Sequence, residues 1–250
     1  MGDAPRVFLG TVALEINRWG SRVPSFKVSD YLERIKNAGF DGIELWENHA
    51  AGDEPEKIKA SGFPVSVFNT YAGFGDEDAP AREAAANTAN FLNSGAVKYN
   101  VGEDASRLNE YKRNVSGFAD MLPRSDLLCE CHAGTVLEHI SASVEFFSGM
   151  PTNFGIITHP FGPRAALQNT FEAHGARLKL IHSQFMKDRA RVRLDRAPDF
   201  IRDCFAVMRE HGFAGDFTIE FTELTGAPGE NIEALFENAV ADMAFIKNNY

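Results

Sequence analysis

The chain has no apolar run approaching the roughly 20 residues that a membrane helix needs, and this excludes a spanning segment of that kind. It has only 3 cysteines and 2 tryptophans among 250 residues, and no Pro/Ser-rich or low-complexity stretch to mark a linker. Cys129, Cys131 and Cys204 cannot all pair with one another, and their spacing matches no zinc ribbon or redox motif, so a reducing compartment is expected. Basic residues are also in deficit. With 25 Lys and Arg against 35 Asp and Glu, the net charge of -10 sets up a mean field that repels phosphodiester backbones and anionic headgroups. Binding to nucleic acid or to a membrane surface is therefore disfavoured. The opening residues Met1 to Arg6 hold neither a signal-peptide core nor a myristoylation hydroxyl, and the expected location is the cytoplasm.

What the chain does have is an alternation. Short β-prone runs fall at 7–13, 42–46, 65–71, 96–101, 127–132, 154–159, 178–184 and 217–222, separated by segments of helical period such as 31–38 and 232–240. Eight units of roughly 30 residues each, the length of a βαβ repeat, suit an α/β fold of the (β/α)8 TIM-barrel type, with 1–250 as a single domain. A doubly wound open sheet would usually carry a Gly-rich phosphate turn after an early strand, and the first strand here runs on through Leu14-Glu15-Ile16-Asn17 without one. The 21 phenylalanines fit extensive packing between layers.

A barrel imposes a parity on each strand, because alternate side chains face the helices or the lumen. Phe217, Ile219 and Phe221 form an apolar set that must meet helices, so Thr218, Glu220 and Thr222 are expected to face inward. By the same parity Glu44, Trp46, Lys98, Asn100, Glu130 and His132 point into the lumen. Ile43, Leu45, Val97, Tyr99, Val101, Cys129 and Cys131 point out, which makes the two cysteines small buried hydrophobes and not ligands.

Four of the later strands end in a residue able to ligate a metal: Glu130, His159, His182 and Glu220. Consecutive barrel strands are neighbours, so the four ends converge although they span 90 positions. Two carboxylates at one depth repel each other, and a divalent cation supplies the missing positive charge. Two oxygen and two nitrogen donors form a borderline set, better suited to Mn, Zn or Co than to Mg or Ca.

These segments resemble the xylose isomerase-like superfamily, divalent-metal (β/α)8 barrels that include sugar-phosphate isomerases and epimerases. The resemblance runs along essentially the whole chain, and its most specific pieces are Phe40-Asp41-Gly42-Ile43-Glu44-Leu45, Glu130-Cys131-His132-Ala133-Gly134-Thr135 and Gly212 to Glu220. Members hold one metal ion through Glu, Asp, His and Glu on the fifth to eighth strands, which correspond here to Glu130, His159, His182 and Glu220. His159 departs from the usual aspartate and removes one negative charge from the site. Epimerases of the superfamily commonly place a further histidine three residues later, where this chain has Gly162. The endonuclease IV branch needs three zinc ions and several more histidines. Asn69 and Asn100 stand at the ends of the third and fourth strands, and an expected Asp-Arg-His stretch reads Asp195-Arg196-Ala197, so abasic-site cleavage is not expected.

The resemblance implies isomerisation or epimerisation of a sugar, a sugar phosphate or a related keto-polyol, by proton transfer next to a carbonyl through an enediolate. Glu130 and Glu220 would flank the reacting carbon. His132 would either bond a substrate hydroxyl or orient Glu130. Trp46 offers an apolar wall, Asn69, Lys98 and Asn100 offer donors, and Arg191 or Arg193 an anion contact; Lys98 pairing with Glu44 is the plainer alternative for that lysine. The turn from Gly226 to Gly229 is a weak candidate phosphate cradle. A metal-dependent lyase of a keto-polyol or dehydroshikimate-type substrate is the alternative enzyme, since Glu130-Cys131-His132 resembles the Glu-x-His of such dehydratases. A sugar-binding barrel without catalysis is the third reading. Barrels of this family often self-associate, so a homo-oligomer is a further expectation, although no apolar stripe in the sequence decides it.

Overall fold

Each of the eight β-prone runs overlaps a strand of one closed, all-parallel barrel. The structure is a computed structural model and describes residues 5–250; Met1 to Ala4, part of the opening stretch read for targeting signals, lie outside the described residues. The barrel strands are β1 (Val7–Gly10), β2 (Gly42–Trp46), β3 (Val65–Asn69), β4 (Ala96–Tyr99), β5 (Asp126–Glu130), β6 (Phe154–Thr158), β7 (Leu178–Ser183) and β10 (Asp216–Ile219). They close in the order β1-β10-β7-β6-β5-β4-β3-β2. A small antiparallel hairpin of β8 (Met186–Lys187) and β9 (Ala190–Arg191) stands on the loop after β7. Around the barrel run α1 (Thr11–Leu14), α2 (Leu32–Ala38), α3 (Glu54–Ser61), α4 (Ala79–Leu92), α5 (Leu108–Asp120), α6 (Ile140–Phe147), α7 (Arg164–His174), α8 (Pro198–Glu210) and α9 (Ile232–Asn249). This is the expected (β/α)8 barrel. No helix among the described residues is long and apolar enough to cross a membrane.

Side-chain parity holds within the strands. Val7, Leu9, Ile43, Leu45, Val97, Tyr99, Cys129, Phe217 and Ile219 belong to the main core between strands and helices. Phe8, Val67, Ala96, Leu128, Ile157 and Leu180 form a separate apolar plug in the lumen. Register shifts at Ile43/Glu44 and at Ile156/Ile157 absorb single residues in β3 and β7 and bring Asn69 and His182 to inward positions. The helices bury stripes three and four residues apart, as Ile201, Cys204, Phe205 and Met208 do on α8.

Parity fails where strands stop short of the expected runs. The first run turns into α1 at Thr11 instead of continuing to Ala13. Gly10 marks the change, since a Cβ there would lie 2.9 Å from the Ile219 carbonyl oxygen on β10. The last run ends at Ile219, so the two residues beyond Glu220 exchange sides. Phe221, expected to face the helices, lines the barrel mouth, and Thr222, expected in the lumen, donates its hydroxyl to Asp242 of α9 at 2.6 Å. Beyond the last ladder hydrogen bond nothing enforces a period of two.

Asp242 ties two loops of the mouth to α9, accepting also from the Leu194 backbone N–H at 2.7 Å. Burial lifts its carboxyl to about 7, against the two donors that favour its charge. A carboxyl raised on folding leaves stability intact below the unfolded value near 3.8 and erodes it as pH climbs toward 7. In Asp242→Asn the amide can donate to Thr222 while its oxygen keeps the Leu194 bond. The variant should lose this pH dependence and be more stable than wild type at pH 8, by up to about 4 kcal/mol, with the difference vanishing near pH 4. Melting curves across pH 4–8 give the comparison, and parallel curves would refute it.

Candidate metal and substrate site

At the C-terminal end of the barrel four side chains converge. One ligand atom each from Glu130, His159, His182 and Glu220 lie within 4.8 Å of one another. Glu130 closes β5, His159 and Glu220 follow the last residues of β6 and β10, and His182 sits inside β7, with Thr218 as its register partner. Glu130 Oε1 lies 2.7 Å from His159 Nε2 and 3.7 Å from His182 Nδ1. Glu220 Oε1 lies 3.2 Å from His182 Nδ1.

The state of His182 is set from behind. Its Nε2 lies 3.0 Å from Glu44 Oε2, and a carboxylate there can only accept, so Nε2 carries a proton. Nδ1, on a fully buried ring, has no hydrogen-bond partner and faces the two carboxylates. Burial disfavours the imidazolium, yet Glu44 and Glu220 outweigh it and hold the ring well above the usual histidine range. An orphaned nitrogen aimed between two acids, with its other nitrogen anchored on a carboxylate, is the arrangement a metal-binding histidine requires. The residues therefore fit a divalent ion, whose binding would displace a proton.

Glu130 is held asymmetrically. Its Oε2 accepts from Lys98 Nζ at 2.8 Å and from Asn100 Nδ2 at 3.3 Å, leaving Oε1 toward the histidines. Burial works against its charge, but Lys98 and the two imidazoles keep its carboxyl well below the usual range. Lys98, only 2% exposed, thus pairs with Glu130; no Lys98–Glu44 ion pair is found among the described residues. Removing the ammonium should make the site more attractive to a cation and the metal-free fold weaker. Lys98→Met is expected to bind Mn2+ roughly tenfold or more tightly while the metal-free protein melts lower, because a charged carboxylate loses its buried partner. Chelator competition and melting with and without Mn2+ would show it; weaker Mn2+ binding would contradict it.

The cavity over this cluster has a volume of about 430 Å3, within the range of small-molecule sites. Trp19, Tyr71, Lys98, Asn100, Glu130, His132, His159, Gln184, Arg191, Glu220 and Phe221 all contribute to its wall. A larger cavity of about 590 Å3 lies at the opposite end of the barrel, over the apolar floor of Phe8, Val67 and Leu180, and contains none of the four convergent residues. His132 is exposed, and its Nδ1 donates to the Ala133 carbonyl at 2.6 Å, which leaves Nε2 as the free ring nitrogen. Its ring makes no bond to the Glu130 carboxylate, which Lys98 and Asn100 orient instead. Asn69 lies beneath the cavity, 1% exposed, and donates to Glu44 Oε1 at 3.1 Å. Trp46 is equally buried and stays outside the cavity wall, as does Arg193, which pairs with Asp195 at 3.1 Å. Gly226 backs the Trp19 ring, where a Cβ would come within 2.8 Å, so that turn supports an aromatic side chain.

Trp19, Tyr71 and Gln184 escaped the reading of the sequence. Gln184 donates to Glu220 Oε2 at 2.9 Å and contacts His159 Nδ1 at 3.0 Å; its place two residues after His182 was a usable signal. Trp19, 59% exposed, had none, because long-range contacts place its loop. Arg18 beside it is buried against the Val12 and Ala13 carbonyls and Glu230, while Glu15 accepts from Asn17 N, Ser25 N and His49. The sequence parity had put Phe221 on the helix side.

No protein-family model matches the chain, and no curated protein matches it by sequence. Solved structures do. AsbF of Bacillus anthracis, a probable 3-DHS dehydratase involved in petrobactin synthesis, superposes with a TM-score of 0.73 at 14% identity, over 98% of this chain and 100% of that one. The likeness shows the (β/α)8 barrel fold. IolI, solved with a bound zinc atom, gives 0.71 at 14% identity over 98% and 99% of the two chains. The 3-keto-D-glucoside 4-epimerase YcjR of E. coli, in its apo form, gives 0.61 at 12% identity over 98% and 99%. A probable dehydratase and an epimerase thus share this fold, and in this chain its mouth holds a cluster able to bind a metal ion.

Proposed function

We propose that this protein is a divalent-metal-dependent isomerase or epimerase of a sugar, sugar phosphate or related keto-polyol, working by proton transfer next to a carbonyl. The observation that carries the reading is the unpartnered, fully buried Nδ1 of His182, aimed at Glu130 and Glu220 on the floor of an open polar cavity. Glu130, His159, His182 and Glu220 would hold the ion, and the two nitrogen donors favour Mn, Zn or Co over Mg. When bound, the ion would supply Lewis-acid stabilisation of negative charge developing on the substrate carbonyl oxygen. Glu220 and Glu130 flank the space above the cluster. Glu220 Oε2 accepts from the neutral Gln184 amide, with His159 Nδ1 at 3.7 Å, and no lysine or arginine among the described residues pairs with it, which leaves it available to accept a proton, whereas Lys98 occupies the outer oxygen of Glu130. Asn100 and His132 stand where substrate hydroxyls would be bonded. The three unpaired cysteines fit a cytoplasmic protein.

His132 favours a second reading. Its free Nε2 reaches the cavity and could protonate a leaving hydroxyl after the same first abstraction, which would make the reaction an elimination of water. One experiment decides among these readings. Incubation of the Mn2+-loaded protein in D2O with a panel of ketoses and keto acids should put deuterium on the carbon next to the carbonyl. A product of otherwise unchanged mass identifies an isomerase, and loss of water with a conjugated absorbance identifies a lyase. No uptake on any panel member would leave the barrel as a sugar binder.

A further inference from the structure

Arg191 is set apart from its neighbours by what it lacks. The hairpin carrying it turns through Asp188 and Arg189, both at positive φ (51° and 64°), and pairs Met186 with Arg191. That geometry lays the guanidinium over two rings at once, 4.8 Å from the Trp19 centroid and 4.7 Å from the Phe221 centroid. The rings themselves are 5.6 Å apart. No carboxylate among the described residues pairs with Arg191, and its Nε is buried with no acceptor. Two residues along, Arg193 is paired with Asp195, and Arg18 beneath is paired with Glu230.

Desolvation of an unpaired guanidinium is costly, and here it pulls the group below its usual range. Aromatic faces stabilise the plane of the cation but leave its N–H edge without acceptors. None of the three glutamates on the cavity wall, Glu103, Glu130 and Glu220, forms an ion pair with Arg191 among the described residues. Arg191 shares the cavity wall with Glu220 and Gln184, so whatever bonds its edge also sits beside the reacting end of the site. In a protein of net charge -10, a free cation lining an acidic cavity is a selective feature for an anion that the surrounding field would otherwise exclude.

We propose that the substrate is an anionic keto-polyol whose carboxylate or phosphate ester is seated on Arg191, with its carbonyl end over Glu220. The inference rests on the keto-polyol reading above and narrows it to charged members. Three ketoses of one skeleton test it: D-fructose, D-fructuronate with a carboxylate at the far carbon, and D-fructose 6-phosphate. Calorimetric titration of the Mn2+-loaded protein should show one charged ketose binding about 10–100-fold more tightly than fructose, the range of a charge-assisted hydrogen bond. Whichever charged ketose gains names the anion. Arg191→Met should cost that ligand most of its advantage of about 10–100-fold over fructose, Arg191→Lys should restore part of the preference, and Arg193→Met should keep all of it. Fructose binding as tightly as both charged ketoses, or a preference that survives Arg191→Met, overturns the inference and leaves the functional reading standing. Failure of all three to bind overturns both.

Discussion

Glu220→Gln should reduce metal-dependent deuterium uptake by about 10²–10⁴-fold at saturating metal, the usual contribution of a positioned acid or base. The substitution preserves shape, and one oxygen remains for the ion. What disappears is the capacity to accept a proton. Glu220 is the carboxylate to test because no lysine or arginine among the described residues pairs with its outer oxygen, whereas that of Glu130 is pinned by Lys98 at 2.8 Å. Measuring Mn2+ affinity and melting temperature beside the exchange rate separates loss of the base from loss of the ion. A Glu220→Gln variant that exchanges at the wild-type rate would remove the carboxylate from the chemistry.

His182→Ala should strip the protein of bound metal. The His182 Nδ1 has no hydrogen-bond partner in the metal-free fold and faces both carboxylates, where an ion would displace its proton. The substitution also leaves Glu44 with only the Asn69 amide, so some stability is lost. Glu44→Gln isolates the metal effect: the ring stays, but its anchor becomes neutral and a less basic imidazole faces the ion. A loss of about 10–100-fold in metal affinity is expected for an outer partner of this kind, with a larger loss for His182→Ala. Elemental analysis of the purified proteins, followed by Zn2+ or Mn2+ titration, gives the order wild type, Glu44→Gln, His182→Ala. Equal metal content in all three would mean that the ion, if any, binds elsewhere.

Glu44 shows how far the sequence could be read. Its inward direction followed from alternation on β2, but its partner, His182, lies 138 residues away and was found only when the barrel closed. The same holds for Lys98. Parity put it in the lumen, where Glu44 or a substrate was its expected partner. The tertiary structure gave it to Glu130, because β4 and β5 are neighbours and their register sets Lys98 beside Leu128, two residues below that carboxylate.

The sequence by itself determined the repeat, the strand positions, which side of each strand was apolar, and that four ligand-type residues terminate adjacent strands. These follow from local physics: period-two alternation within strands, helical spacing between them, and the cost of burying charge. Only the tertiary structure decided which oxygen of Glu130 is free, which nitrogen of His182 is orphaned, and that Trp19, Phe221 and Arg191 meet at the mouth. These three residues sit outside the barrel ladder, on loops or the small hairpin, where no backbone periodicity dictates direction and contacts between distant segments choose the conformation.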